Sequence, residues 1–180
     1  MKTLVVRALF AALGAMALSG CIDSASPILA DAEPVFGKHL RLSVFSLHQG
    51  YAREPGQVTF NWNGTRYARA SGALRDVATF SAHPFEGGDY IIQSVPVERG
   101  SAIEYALLHE LANGVYLVLP IDEADADDRT RAGFCKRTED SSCRIETREQ
   151  LFAFAGATAA LRKKDGGLVI RLDDRHQRRR

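Results

Sequence analysis

From Leu40 onward the chain breaks into short stretches in which apolar and polar residues alternate with a period of two, the pattern of half-buried strands. Val58, Phe60 and Trp62 alternate with Gln57, Thr59 and Asn61, and Ile103, Tyr105 and Leu107 alternate with Glu104 and Ala106. Each run leads into an Asn-Gly pair, at 63–64 and 113–114, followed by a stretch containing tyrosine. Asn-Gly supplies the positive φ angles of a type I′ turn, so both read as tight hairpins and their shared order hints at a duplicated unit. Further strands are predicted over 41–47, 78–82, 89–95, 115–120 and 168–172, separated by turn residues such as Glu54-Pro55-Gly56 and Gly87-Gly88. This spacing predicts a mainly β fold: about seven or eight antiparallel strands in a barrel-like or sandwich sheet.

One helix interrupts the alternation. Thr147 followed by Gln150 fits a capping box, and Leu151, Phe154, Ala155 and Thr158 share a face at helical spacing before Gly166-Gly167 stops the run. A C-terminal helix near 148–164 is expected to lay its aromatic face on the sheet and cover an edge or an open end.

The first twenty residues follow a different grammar. Lys2 and Arg7 precede an apolar run from Ala8 to Leu18, with no acidic residue among them. That run is too short for a spanning helix, which needs roughly 20 residues. The run ends in Leu18-Ser19-Gly20-Cys21, which resembles the lipobox of bacterial prolipoproteins. The resemblance covers residues 1–21. It implies that 1–20 are a signal peptide, that the Cys21 thiol receives a diacylglycerol, and that the new amino terminus is acylated, palmitate being a typical chain. Several acyl chains on one residue exceed what stable anchoring requires. The chain is thereby expected in the bacterial cell envelope, held on a membrane by lipid and facing the periplasm. Ile22 stands where an Asp resembles an inner-membrane retention signal in enteric bacteria, which favours the outer membrane. Residues 21–35, Ser/Ala/Pro-rich and without periodicity, read as a lipidated tether; 36–174 form a single β-rich domain, and 175–180 a basic tail.

Composition narrows the chemistry. The chain has 23 Lys+Arg against 22 Asp+Glu, and loss of Lys2 and Arg7 with the signal leaves it near neutral, so no nucleic-acid partner is expected. With Cys21 given to lipid, Cys135 and Cys143 form an even pair in an exported chain and read as a disulfide; two thiols at C-x7-C with no His between them suit zinc poorly.

The remaining motifs weigh lightly against their plain readings. His109-Glu110-Leu111 begins like H-E-x-x-H, but Asn113 stands in the fifth place and the stretch reads as strand, so His109 reads as a polar strand end. Asp122, Glu123, Asp125, Asp127 and Asp128 crowd one loop, and Asp122, Asp125 and Asp127 are weak calcium candidates. No register supplies the glycine and glutamate of an EF-hand, and a solvated acidic loop accounts for them. His83, Glu86 and Asp89 gather in "HPFEGGDY" and could serve acid/base chemistry, yet the stretch reads as a shaped turn with Phe85 tucked inward. No glycine pattern supports a phosphate cofactor, and no cofactor is expected. The tail 175–180 reads as a solvated end that could touch anionic headgroups.

These readings imply a non-enzymatic, membrane-anchored β domain that meets another envelope protein or supports the envelope. The alternative is a lipocalin-like carrier of a small apolar ligand within a barrel. Third comes an envelope hydrolase using His83 or His109.

Overall fold

A computed structural model describes residues 22–24, 26–30, 32–48, 51–52, 56–72, 77–97, 103–123, 126–137, 143–158 and 167–173. The strands are β1 (Asp23–Ser24), β2 (His39–His48), β3 (Tyr51–Ala52), β4 (Gly56–Trp62), β5 (Tyr67–Gly72), β6 (Val77–Pro84), β7 (Tyr90–Pro96), β8 (Ile103–Ala112), β9 (Val115–Pro120), β10 (Lys136–Arg137), β11 (Cys143–Arg144) and β12 (Gly167–Leu172). Helices α1 (Asp128–Phe134) and α2 (Arg148–Thr158) lie between β9 and β12. Eight strands close an antiparallel barrel in the order β2, β4, β5, β6, β7, β8, β9, β12 and back to β2. Closure leaves none of these eight as a free edge, which is how a barrel escapes edge pairing.

Alternation along the strands sorts their side chains between two apolar clusters. The inner one fills the barrel with Leu40, Leu42 and Val44 of β2, Val58 and Phe60 of β4, Tyr67, Phe80, Ala82, Leu108, Tyr116 and Ile170. The outer one forms on the wall made by β7, β8 and β9, where Ile91, Ile103, Tyr105, Leu107, Leu117 and Leu119 face away from the interior. Adjacent buried pairs such as Leu107-Leu108 and Tyr116-Leu117 follow from this: a wall apolar on both faces interrupts the polar alternation.

Helix α2 covers that outer wall. Leu151, Phe154 and Ala155 are each fully buried against it, as the helical spacing predicts. The capping box forms as read: the Gln150 amide donates to Thr147 Oγ1 at 3.2 Å, and the Thr147 amide donates to Gln150 Oε1 at 3.2 Å. The helix is described to Thr158; its expected continuation over 159–164 lies outside the described residues. Its target differs from expectation, since it seals a doubly apolar wall rather than an edge or an open end. A second helix, α1, was not foreseen. Asp127, read as part of a solvated loop, is its N-cap and accepts from the Thr130 amide at 2.7 Å.

The two Asn-Gly hairpins diverge. Asn113-Gly114 is a two-residue loop between the paired Ala112 and Val115, with Gly114 at φ +74°. The first hairpin pairs Trp62 with Tyr67 and spans 63–66, a correction to the tight turn expected there. Its cause is the Asn63 side chain, whose Oδ1 accepts from the amides of Thr65 (3.1 Å) and Arg66 (2.9 Å) and so holds a longer loop.

Phe154 tests the wall-and-cover arrangement. Phe154→Ala should lower stability by about 3–5 kcal/mol. The melting temperature should fall well below that of Phe152→Ala, because Phe152 is only half-buried.

Candidate functional site

The segment after Cys21 is docked, not free. Ile22 is 0% exposed and its amide donates to the Ile121 carbonyl at 3.2 Å. Strand β1 pairs antiparallel with β8, at Asp23–Glu104 and Ser24–Ile103, and parallel with β11 at Asp23–Arg144. Leu29 then packs into the outer cluster. The expected stand-off tether is therefore, over its described residues, a strap laid across the wall. Its apolar Ile22, Ile28 and Leu29 find partners there that a solvated linker would forgo.

A chain of buried polar groups lies beneath the strap. Ser24 Oγ and Tyr105 OH are 2.6 Å apart, and Tyr105 OH donates to Gln93 Oε1 at 3.3 Å. The same oxygen accepts from the amides of Ile28 (2.9 Å) and Leu29 (3.0 Å), while Gln93 Nε2 donates to the Leu29 carbonyl at 3.2 Å. Gln93 Nε2 also reaches Ser81 Oγ at 3.5 Å, and His83 Nε2 lies 3.0 Å from that hydroxyl. Gln93 thus stands in for a strand, offering strap backbone the donor and acceptor that burial would otherwise deny it. The sequence carried a signal for this residue: Gln93 occupies the outward position between the apolar Ile91 and Val95.

The predicted acid/base group is divided by the fold. His83 points beneath the strap toward Ser81, whereas Glu86 is exposed in a 3-10 turn, Glu86–Gly88. Asp89 instead meets His109, with Nδ1 at 3.0 Å from Oδ2, and also accepts from the Glu110 amide at 3.1 Å. A hydroxyl beside an imidazole is the start of a nucleophile and base. Here Ser81 and His83 are 1% and 3% exposed, so the pair is closed to a substrate while the strap is in place. His109 and Glu110 are neighbours on β8, where adjacent side chains take opposite faces, so they do not form a helical zinc motif. Phe85 is tucked as read, 5.5 Å from Phe152 of α2 and edge-on to it.

Cys135 and Cys143 form a disulfide with Cα atoms 4.9 Å apart, linking the C-cap of α1 to β11 beside the strap. The N-terminal amides of α1 hold the Asp127 carboxyl below its ordinary range, chiefly through the bond from Thr130. Asp122 is half-buried, and Asp125 lies outside the described residues, as do Cys21 and the tail 175–180. Among the described residues no three His, Cys, Asp or Glu side chains converge as a metal site.

Inside the barrel the aromatic residues gather at the end that carries the β4–β5 and β8–β9 turns. Phe36 enters there from a turn in which the Gly37 amide, at φ +82°, donates to the Pro34 carbonyl at 2.8 Å. Its ring lies 5.1 Å from Tyr90, 5.8 Å from Tyr116 and 6.2 Å from Tyr67. Tyr67 OH accepts from the Phe36 amide at 2.9 Å and donates to the Gly37 carbonyl at 3.0 Å, fixing the plug. Burial pushes the Tyr67 phenol up to about 12, against the partial relief of the Phe36 amide. Burial, with the nearby carboxylate of Glu110, pushes Tyr116 up to about 12 as well.

No family model, curated protein or solved structure matches this chain.

Two outcomes follow. The unfolded chain releases its phenolic protons near pH 10, whereas folded Tyr67 and Tyr116 keep theirs to about pH 12. The stability they contribute is intact below pH 10 and lost as pH rises toward 12, about 3 kcal/mol for each phenol. Phenolate absorbance followed beside circular dichroism should show a late-ionising fraction, reduced by Tyr67→Phe or Tyr116→Phe, that appears together with loss of fold. Second, Gln93→Leu should leave the Ile28 and Leu29 amides without their acceptor. Hydrogen exchange at those two positions should rise roughly tenfold, the equivalent of about 1.4 kcal/mol, with the barrel amides unchanged.

Proposed function

We propose that this chain is a lipid-anchored, non-enzymatic barrel of the bacterial cell envelope, which acts by presenting a fixed surface to an envelope partner. The observation that supports this is the docked strap. Ile22, one peptide bond from the lipobox cysteine, is buried in the outer wall, so acyl groups on Cys21 would be joined to the barrel without an intervening linker. A domain on a long tether samples every orientation, whereas one seated at its anchor offers the same face to every partner. Among the described residues no helix is long and apolar enough to cross a membrane, and in this reading attachment comes from the lipid. The periplasmic side, and the outer membrane by virtue of Ile22 at its position, remain the proposed address.

A carrier function is the second reading, and one observation favours it: the eight strands close into a barrel, an architecture that can hold one small ligand.

The anchor is tested at Cys21. Cys21→Ser should accumulate as a slower-migrating precursor and lose metabolic labelling with palmitate. Processing and membrane recovery equal to the unmodified chain would overturn the proposal.

A further inference from the structure

Strands β2, β4, β5 and β12 contain no Asp or Glu. Because Leu40, Leu42, Val58, Phe60 and Ile170 point into the barrel, Arg41, Gln57, Asn61 and Arg171 point out, and all four are exposed. The register sets Arg171 beside Ser43, two residues along β2 from Arg41. The Arg171 guanidinium lies over the Phe45 ring, 5.6 Å from its centroid, which holds the charge at the surface of the sheet. Arg66, one residue before the inward Tyr67, adds a third guanidinium at the β4–β5 turn. Asp173, the carboxylate that follows β12, is turned to Ser43, whose Oγ donates to Oδ2 at 2.6 Å, and its Oδ1 lies 3.4 Å from Arg171 Nε. Its side chain is 14% exposed, so its charge is spent within the sheet. The opposite wall differs in cover and in sign. Round the closed barrel β4 stands across from β8, and β8 pairs with the strap and carries Glu104 and Glu110.

We propose that the outer face of β12, β2, β4 and β5 is the docking surface for an acidic face of a second envelope protein. The proposal rests on the partner-presenting reading above and names the chemistry of that partner. The strap fixes which way this face looks. Ile22, bonded to the lipobox cysteine, is buried on the wall across the barrel, so in the anchored reading the basic face is turned away from the bilayer. Anionic headgroups are thereby the wrong occupant despite their charge. Closure leaves none of these four strands an open edge to which a peptide strand could add, so recognition falls to side chains. Arginine over an aromatic ring, beside exposed amides, is the composition of a protein contact, in which Arg and aromatic residues supply much of the binding energy. A basic surface, or this same face on another copy, is repelled, and an acidic one is complementary.

In cells producing the full chain, Gln57, Asn61 and, on α2, the exposed Glu149 are each replaced by the photo-crosslinking amino acid p-benzoylphenylalanine, and adducts are mapped by mass spectrometry. The expected result is a protein adduct from positions 57 and 61 whose attachment site lies in an Asp/Glu-rich segment of the other protein. Arg41→Glu and Arg171→Glu should each reduce it about tenfold, since both reverse the charge that recruits the partner. Arg148→Glu, exposed on α2, should leave it unchanged. Thermal melts select the variants that keep the fold, and Arg41→Glu keeps the test open if Arg171→Glu misfolds. Adducts from 57 and 61 to phospholipid, to a glycan or to a second copy of this chain would overturn the proposal. So would protein adducts that map to segments without acidic residues or are unchanged by charge reversal. Protein adducts from position 149 alone would overturn this face while leaving partner presentation standing. No adduct from any of the three positions would overturn both.

Discussion

Closure of the sheet by β12 is the interaction on which the rest depends. This strand pairs with β2 on one side and β9 on the other, joining Ile170 to Val44 and to Tyr116. Remote parts of the chain thereby become neighbours, and a sheet that would otherwise expose two edges acquires an inside and an outside. Non-local pairing of this kind carries a loop-closure cost that only the completed core offsets. The inner cluster contains residues from both partners of the seam, so core and closure stabilise each other.

Closure also creates a second burial problem. Strands β7, β8 and β9 are apolar on both faces, and a closed barrel can hide only one of them. Helix α2, the disulfide-linked segment and the N-terminal strap cover the other, with Leu151, Phe154, Ile145 and Ile22 in one continuous cluster. The strap must run over the wall without leaving backbone groups unsatisfied, and Gln93 meets that need with three bonds to Ile28 and Leu29. In this way the position of Ile22 relative to the barrel becomes a consequence of wall packing.

The histidines show how the same residues acquire different meanings in a fold. His83, Glu86 and Asp89 are close in sequence, but a strand end followed by a tight turn sends them in separate directions. His83 ends buried by Ser81, and Asp89 bridges to His109 on β8. Each histidine joins elements: one belongs to the polar chain beneath the strap, the other fastens the start of β7 to the far end of β8.

The sequence by itself determined every strand of the barrel and the buried face of α2. Periods of two and 3.6 are local properties, written by whichever side of an element must leave water. It also determined the Thr147–Gln150 cap, since both partners lie within one turn, and the pairing of Cys135 with Cys143. It did not separate barrel from sandwich, because alternation says that one face is buried but not against what. The strap escaped the sequence reading for a related reason: a Ser/Ala/Pro-rich stretch has no periodicity of its own, and its order is imposed by Gln93, Tyr105 and the outer wall. Helix α1 was hidden in an acidic run whose Asp127 could be either solvated or a cap. Only the tertiary structure decided that Phe36 would pack among Tyr67, Tyr90 and Tyr116. That depends on how distant strands align in register, and register is set by the packed whole.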